Sequence, residues 1–198
     1  MILLVRHGQT PANAEGRLLG RADPPLDETG VAQAEALAAV AGDWPGPVRV
    51  VSSPLRRCAE TAAAIAAAVG ATVEVDERWI ELDYGQLEGT PLAEVPPAVW
   101  QAWRSDVDFR PPGGETLAEL GVRVRAACDD IEAVAGAEEV VVVSHVSPIK
   151  AAVAWTLGVD DSVTWRLFVA PGSVSRISVA GGRRSLHGFN DVSAQVGR

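Results

Sequence analysis

Two histidines follow short apolar runs with one residue in between, and their neighbours suit the chemistry of phosphate. Residues 2–5 lead into Arg6-His7-Gly8, and residues 140–143 lead into Ser144-His145. A histidine in such a place can attack phosphorus, and an arginine beside it can hold phosphate oxygens in a fork. Taken alone, Arg6-His7-Gly8 has a structural explanation that fits as well as the catalytic one. In it, His7 is a core residue at a strand end and Arg6 points to water.

A third polar group strengthens the catalytic interpretation. The apolar run 48–51 ends in Ser52 and the segment Ser53-Pro54-Leu55-Arg56-Arg57. If the three runs are parallel strands, their carboxyl ends share one sheet edge, where open α/β sheets bind ligands. The Ser53-Pro54 and Ser147-Pro148 pairs predict helix N-termini at that edge, whose free N–H groups attract anions. The pattern therefore predicts a pocket for a dianionic phosphate with a nitrogen nucleophile.

The elements that must position these residues alternate between strands and helices along most of the chain. This rhythm predicts an α/β domain with a mostly parallel central sheet. Apolar runs and periodicity predict strands at 2–5, 48–51, 72–75 and 140–143, and helices at 31–40, 54–69, 117–134 and 147–157. The last part of the chain predicts two or three strands that complete the sheet edge, at 164–169, 173–179 and 184–186. Residues 11–27 and 78–89 are expected to be loops.

A chain of 198 residues with 47% hydrophobic residues is expected to form one domain, residues 1–198. Residues 91–112 differ from the rest because two Pro-Pro pairs flank Trp100, Trp103 and Phe109. We interpret this segment, here called the cap, as a short helical insertion that covers part of the fold. Trp100 and Trp103 are more readily explained as packing residues of the cap than as substrate contacts.

The charge pattern and the cysteines exclude several classes of function. The net charge is −9 and the basic residues form no run, which argues against a nucleic-acid surface or a polybasic membrane anchor. Cys58 and Cys128 lie in alanine-rich helical contexts and are expected to be small buried residues, with no disulfide and no metal. No apolar stretch is long enough to cross a bilayer, and no signal peptide fits around His7, so we expect a cytoplasmic protein. The oligomeric state stays open, with a homodimer as one option.

Five motifs in order resemble the histidine phosphatase superfamily, the phosphoglycerate-mutase-like group. They span residues 1 to about 158: Arg6-His7-Gly8-Gln9-Thr10 with Asn13, Ser53 to Arg57 with Thr61, Glu81 ahead of Gly85 and Glu88-Gly89, Gly114-Glu115, and Ser144-His145. The resemblance implies a three-layer αβα sandwich around the sheet. It also implies an enzyme that needs neither a metal nor any other cofactor.

The resemblance also implies a role for each matched residue. His7 is the expected nucleophile, Glu81 is the expected acid and base, and the phosphoryl oxygens are held by Arg6, Arg57 and His145. Asn13 is expected to add a hydrogen bond from its loop, and Gln9 and Thr10 belong to the same substrate-binding set. Two positions depart from the common pattern, since Val146-Ser147 replaces Gly-Gly and Cys58 replaces alanine.

Some of these assignments have rivals within the chain. Asp83 and Glu88 are alternatives to Glu81 as the acid, because both carboxylates lie in the same expected loop. Arg57 is preferred to Arg56 because it holds the second basic place of the motif, which leaves Arg56 as a solvated helix residue. The remaining loop arginines are more readily explained as solvated charges than as substrate contacts: Arg17 and Arg21.

The preferred function is a metal-independent, acid-type phosphomonoesterase that hydrolyses a small phosphorylated metabolite through a phosphohistidine. A phosphoglycerate-mutase activity is the alternative, but the cap is short and Gln9 stands where the mutases usually have glutamate. A non-catalytic phospho-ligand module would require the loss of a key residue, and none is lost. The substrate stays open among α-ribazole phosphate, a sugar phosphate, a phosphoglycerate ester and broad specificity.

Overall fold

The computed structural model describes residues 1–42, 44, 48–135 and 138–195. Its centre is a six-stranded sheet with the order β3-β2-β4-β1-β5-β6. The strands are β1 (Ile2–Arg6), β2 (Val48–Ser52), β3 (Val73–Val75), β4 (Glu139–Ser144), β5 (Val174–Ala180) and β6 (Arg183–Asp191). The first four strands are parallel to one another, and β5 and β6 form an antiparallel hairpin beside β1. The predicted mixed α/β class with a mostly parallel sheet is confirmed.

Helices cover both faces of this sheet. They are α1 (Pro11–Ala14), α2 (Glu28–Ala41), α3 (Arg56–Val69), α4 (Pro97–Ser105), α5 (Leu117–Val134) and α6 (Val146–Leu157). Asp27 caps α2 through the amide of Gly30. Thr116 caps the longest helix, α5, through a capping box with Glu119. Short 3₁₀ turns connect the larger elements: Glu77–Trp79, Gly85–Leu87, Leu92–Glu94, Asp161–Arg166 and Ser193–Gln195.

The alternation of side chains along the strands divides the core into two layers. Ile2 and Leu4 of β1 pack in one cluster with the apolar faces of α5 and α6. Leu3 and Val5 point to the opposite face and pack with α2 and α3. Because successive residues of a strand face opposite sides of the sheet, four consecutive apolar residues serve both clusters. The result is the three-layer αβα arrangement that the resemblance implied.

Three local predictions are wrong. The segment 164–169 was expected to be a strand, but residues 161–166 form a 3₁₀ turn that Asp160 caps. The expected loop 11–27 contains the short helix α1, which Thr10 caps. Neither serine of a Ser-Pro pair is an N-cap, since α3 follows Leu55 and α6 follows His145. No helix among the described residues is long and apolar enough to cross a membrane.

Candidate active site

The backbone carbonyl of its own neighbour fixes the His7 ring. His7 follows β1 and is 2% exposed, and its Nδ1 lies 2.6 Å from the carbonyl oxygen of Gly8. A carbonyl oxygen only accepts hydrogen bonds, so Nδ1 carries the proton and Nε2 of the neutral ring carries the lone pair. The amide of Gly8 in turn donates to Thr61 Oγ1 at 3.1 Å. These contacts fix the ring and leave the Nε2 lone pair outside the hydrogen bond to Gly8.

Two glycines allow the turn after His7. A Cβ on Gly8 would overlap the carbonyl oxygen of Gly30, and a Cβ on Gly30 would overlap the carbonyl oxygen of Gln9. The first turn of α2 therefore lies directly against the backbone that follows His7. Only residues without a side chain permit this close approach.

His145 is fully buried behind His7, and both of its ring nitrogens are engaged. The two rings meet edge to face with centroids 5.1 Å apart. Arg57 Nε donates to His145 Nδ1 at 3.2 Å, so the other nitrogen carries the proton and Nε2–H donates to Ser53 Oγ at 2.7 Å. The predicted contact between His145 and a phosphoryl oxygen would require its N–H to leave Ser53.

The two arginines bind backbone carbonyls from separate parts of the chain. Arg6 Nη1 donates to the carbonyl oxygen of Val169 at 2.6 Å, and Arg6 Nε has no partner among the described residues. Arg57 donates through Nη1 to Ala22 and through Nη2 to Gly20, both at 2.8 Å. Each guanidinium is thereby oriented while further N–H groups stay available for an anion.

The buried cluster shifts the acid–base properties of its members. Burial and the charges of Arg6 and Arg57 hold the pKa of His7 well below its ordinary value. Burial, Arg57 and His7 do the same to the pKa of His145. Burial also lowers the pKa of Arg6 to about 10, at which the guanidinium is still charged at neutral pH. Both histidines are therefore neutral at pH 7, as a nitrogen nucleophile requires.

Of the three candidate carboxylates, Glu81 lines the same cavity as His7. It is 3% exposed, and its Oε1 accepts from the amides of Leu82 at 2.7 Å and Ser147 at 3.2 Å. Asp83 accepts from the amide of Gly85, and Glu88 accepts from the amides of Gly20 and Arg21. The geometry therefore favours Glu81 as the carboxyl group that meets a substrate.

At each of the two helix N-termini at this edge, one amide of the first turn already donates to a carboxylate. The Ser147 amide in the first turn of α6 donates to Glu81, and the Arg56 amide at the start of α3 donates to Asp23 at 2.6 Å. Arg56 itself pairs with Glu60 in solvent, as expected of a helix residue outside the pocket. The positive charge beside His7 comes from Arg6 and Arg57 instead.

A cavity of about 470 Å³ is lined by Arg6, His7 and Glu81, whereas Arg57 and His145 are fully buried and are not among its lining residues. Gln9 and Asn13 line this cavity. Thr10 is fully buried, and its hydroxyl bonds to Asn13 as part of the N-terminal capping box of α1. Arg17 also lines the cavity and pairs with Glu15 at 2.6 Å, and Arg21 is exposed beside Glu115.

Aromatic residues form the outer wall of this cavity. Trp100 and Trp103 of the cap line it and stack on each other with centroids 5.8 Å apart, so they serve both packing and the cavity surface. Trp165 packs edge to face on both, and Phe168 is 71% exposed at the rim. These last two lie in the segment that the sequence pattern assigned to a strand.

Sequence reasoning missed three polar contributors to the site. Ser53 holds His145, Cys58 Sγ lies 3.4 Å from His145 Nε2, and Lys150 lines the cavity from α6. Ser53 is the first residue of the arginine motif and Cys58 follows it, but nothing in their spacing predicts a contact with His145. Lys150 carried a clearer signal, because it is the chain's single lysine and lies one helical turn after Val146.

Comparisons with known proteins point to the same superfamily as the sequence motifs. The profile of the histidine phosphatase superfamily (branch 1) matches residues 2–192. A bifunctional protein of Mycobacterium tuberculosis is 38% identical over 177 residues, 88% of this chain and 49% of that protein. The chain thus spans about half the length of this curated relative. A probable phosphoglycerate mutase of Yersinia pestis is 35% identical over 181 residues, 89% of this chain and 83% of that protein.

Solved structures show the same architecture. A mycobacterial glucosyl-3-phosphoglycerate phosphatase, solved with VO3, superposes with a TM-score of 0.88 at 30% identity, covering 96% of this chain and 98% of that one. A putative α-ribazole-5′-P phosphatase of Escherichia coli superposes with a TM-score of 0.85 at 25% identity and covers 96% of each chain. The chain therefore belongs to the histidine phosphatase superfamily.

Proposed function

We propose that the chain is a phosphomonoesterase that acts through a phosphohistidine on His7 and needs no metal ion. One observation carries this proposal: the hydrogen bond from Nδ1 to Gly8 leaves the Nε2 lone pair of His7 in a cavity that also holds Glu81. The guanidinium groups of Arg6 and Arg57 supply the positive charge that a metal ion supplies in other phosphatases.

In the first step, the Nε2 lone pair attacks phosphorus and the bond from phosphorus to the ester oxygen breaks. Arg6 and Arg57 offset the negative charge on the other phosphoryl oxygens. Glu81 in its protonated form gives its proton to the leaving oxygen, so an alcohol departs and not an alkoxide. The products are phospho-His7, a Glu81 carboxylate and the free alcohol.

In the second step, water enters the place of the alcohol. The Glu81 carboxylate takes a proton from this water while the oxygen attacks phosphorus, and the phosphorus–nitrogen bond breaks. Inorganic phosphate leaves, His7 is neutral again and Glu81 is protonated for the next cycle. One carboxyl group thus serves as acid and then as base.

Two features favour hydrolysis over the mutase alternative. The cap is short, and its α4 has nine residues, so it offers little cover to exclude water from a phosphoenzyme. Gln9, where the mutases usually have glutamate, donates through its side chain to Asp27 at 3.1 Å. Relatives with phosphatase names support the same choice, whereas the Yersinia relative carries the mutase name. A small phosphorylated metabolite is the proposed substrate.

The test is the turnover of p-nitrophenyl phosphate in the presence of a chelator, with both p-nitrophenol and inorganic phosphate measured. We expect native turnover with equal amounts of the two products, and a loss of at least about 10³-fold in His7→Ala. His187→Ala is the matched control, because His187 is an exposed histidine on β6 that pairs with Ser178. Equal activity in native protein and His7→Ala would refute the nucleophile.

A further inference from the structure

The basic residues of this chain are almost all arginines. Of 17 lysines and arginines, Lys150 is the single lysine. It lies on α6 and lines the cavity that also contains His7 and Glu81. The chain's single lysine side chain therefore lies at the candidate active site.

The other cations of the cavity wall have hydrogen-bond or salt-bridge partners, whereas Lys150 has none among the described residues. Arg6 donates to the carbonyl oxygen of Val169, and Arg17 pairs with Glu15. The half-buried Lys150 forms no hydrogen bond or salt bridge with any residue that the structure describes, and burial lowers its pKa. A cation withdrawn from water without an acceptor is unfavourable, and an anion bound in the cavity would remove that cost.

The position of Lys150 points to the part of a substrate that leaves. His145 precedes α6, and Lys150 lies four residues after Val146, about 6 Å further along the helix axis. Trp165 and Phe168 line the same cavity and offer no negative charge, whereas the charge of Glu81, which also lines it, raises the pKa of Lys150 against the effect of burial. A single ammonium group suits an anion with one charge, since a second dianionic phosphate favours a fork of donors such as arginine provides.

We propose that Lys150 binds a carboxylate on the leaving group, so that the preferred substrates are phosphomonoesters of carboxylate-bearing alcohols. This inference rests on the proposed function, because it assumes that the phosphoryl group lies between His7 and the two arginines. Lys150 is then a specificity residue, and the aromatic wall contacts the carbon skeleton between the two anionic groups.

The kinetic test compares phenyl phosphate with 3- and 4-carboxyphenyl phosphate, which differ from it by one carboxylate. In Lys150→Met, the ratio of kcat/KM for the better carboxylated ester to that for phenyl phosphate should fall about 10- to 100-fold. Lys150→Arg should recover part of the ratio, and Arg166→Met, which removes an exposed cation nearby, should leave it unchanged. An unchanged ratio in Lys150→Met would overturn the proposal, as would an equal loss on all three esters, which would mean that Lys150 acts through Glu81.

A binding test separates this inference from the proposed function. Lysine labelled with ¹³C at Cε gives one resonance in this chain, which Lys150→Arg removes. Titration with 4-carboxybenzylphosphonate should shift that resonance, whereas benzylphosphonate should shift it much less. Equal shifts, or no shift with saturating ligand, would overturn the role of Lys150. The result does not depend on turnover, so a chain that binds these phosphonates and hydrolyses no ester would refute only the phosphatase.

Discussion

At the inner end of the cavity, polar side chains hold one another in place, whereas the outer end is walled by aromatic rings. His7, His145 and Arg57 are at most 2% exposed, and each is bonded to backbone or to another member of the cluster. Phe168 at the outer rim is 71% exposed. The two histidines of the inner end lie directly after β1 and β4. The aromatic residues of the outer end belong to the cap and to the segment after α6.

This difference separates reaction from specificity. Groups fixed by strands and by several hydrogen bonds hold their geometry whatever the leaving group is. Loops and short helices around them tolerate change and set which substrate fits. Substitutions at the inner end should therefore lower the reaction rate for every substrate. Substitutions at the outer end should change only the order of preference among substrates.

The largest expected effect concerns Glu81. In Glu81→Gln, kcat/KM for an alkyl phosphate should fall about 10²- to 10⁴-fold, because the leaving oxygen then lacks a proton donor. The loss for p-nitrophenyl phosphate should be tenfold or less, since p-nitrophenolate leaves without protonation. Asp83→Asn is the matched control, because Asp83 binds the amide of Gly85. A loss that depends on the leaving group in the Asp83 variant would move the acid to that residue.

The next effect tests whether the inner end acts as one rigid unit. In Gly30→Ala, the new Cβ overlaps the carbonyl oxygen of Gln9, so the backbone after His7 must move. A displacement of about 1 Å at a nucleophile costs up to about 100-fold in rate, and we expect a loss of this size for all substrates alike. Steady-state assays on alkyl and aryl esters, with melting temperatures for each protein, measure it.

Gly42 gives a control in the same helix. It ends α2 at φ −61°, and a Cβ there would meet no atom of the described residues within 4 Å. Gly42→Ala should keep native rates. If Gly30→Ala keeps them too, the close contact between α2 and the nucleophile loop does not position His7.

The smallest effect belongs to the rim. Phe168→Ala should raise KM for 1-naphthyl phosphate about two- to fivefold and leave phenyl phosphate unchanged, because only the larger ring extends to the rim. Val75→Ala is the control, since Val75 is exposed on β3 at the far sheet edge and is also apolar. An equal change for both esters would mean that the outer end also controls the chemistry.

The inner end was largely predictable from the sequence. Continuous apolar runs such as residues 2–5 and 140–143 are short and β-compatible, which favours a strand buried on both faces over a buried helix. Parallel pairing then brings Arg6 opposite Ser144, so the residues after both strands meet. Glu81 was harder, because three carboxylates share its loop, and only their hydrogen-bond partners distinguish them.

The outer end was less predictable because tertiary contacts decide its conformation. Thr164 to Val169 has the β-branched and aromatic residues of a strand, yet Trp165 packs on the indoles of the cap and its segment turns. The Ser53-Pro54 pair resembles a helix start, but the Ser53 hydroxyl binds His145 instead. Partners that are distant in sequence override the local preference in both cases.

The pairing of β1 has a consequence for biosynthesis. Ile2 pairs with Val140 on one side and with Ile177 on the other, so the strand that precedes His7 has both neighbours in the last third of the chain. During translation, this apolar strand emerges long before either partner and is exposed to aggregation until they are made. His7 is positioned only when β4 and β5 dock. Phosphatase activity in a translation reaction would therefore report the completion of the sheet, whereas an earlier release of the chain would yield protein with an uncovered β1.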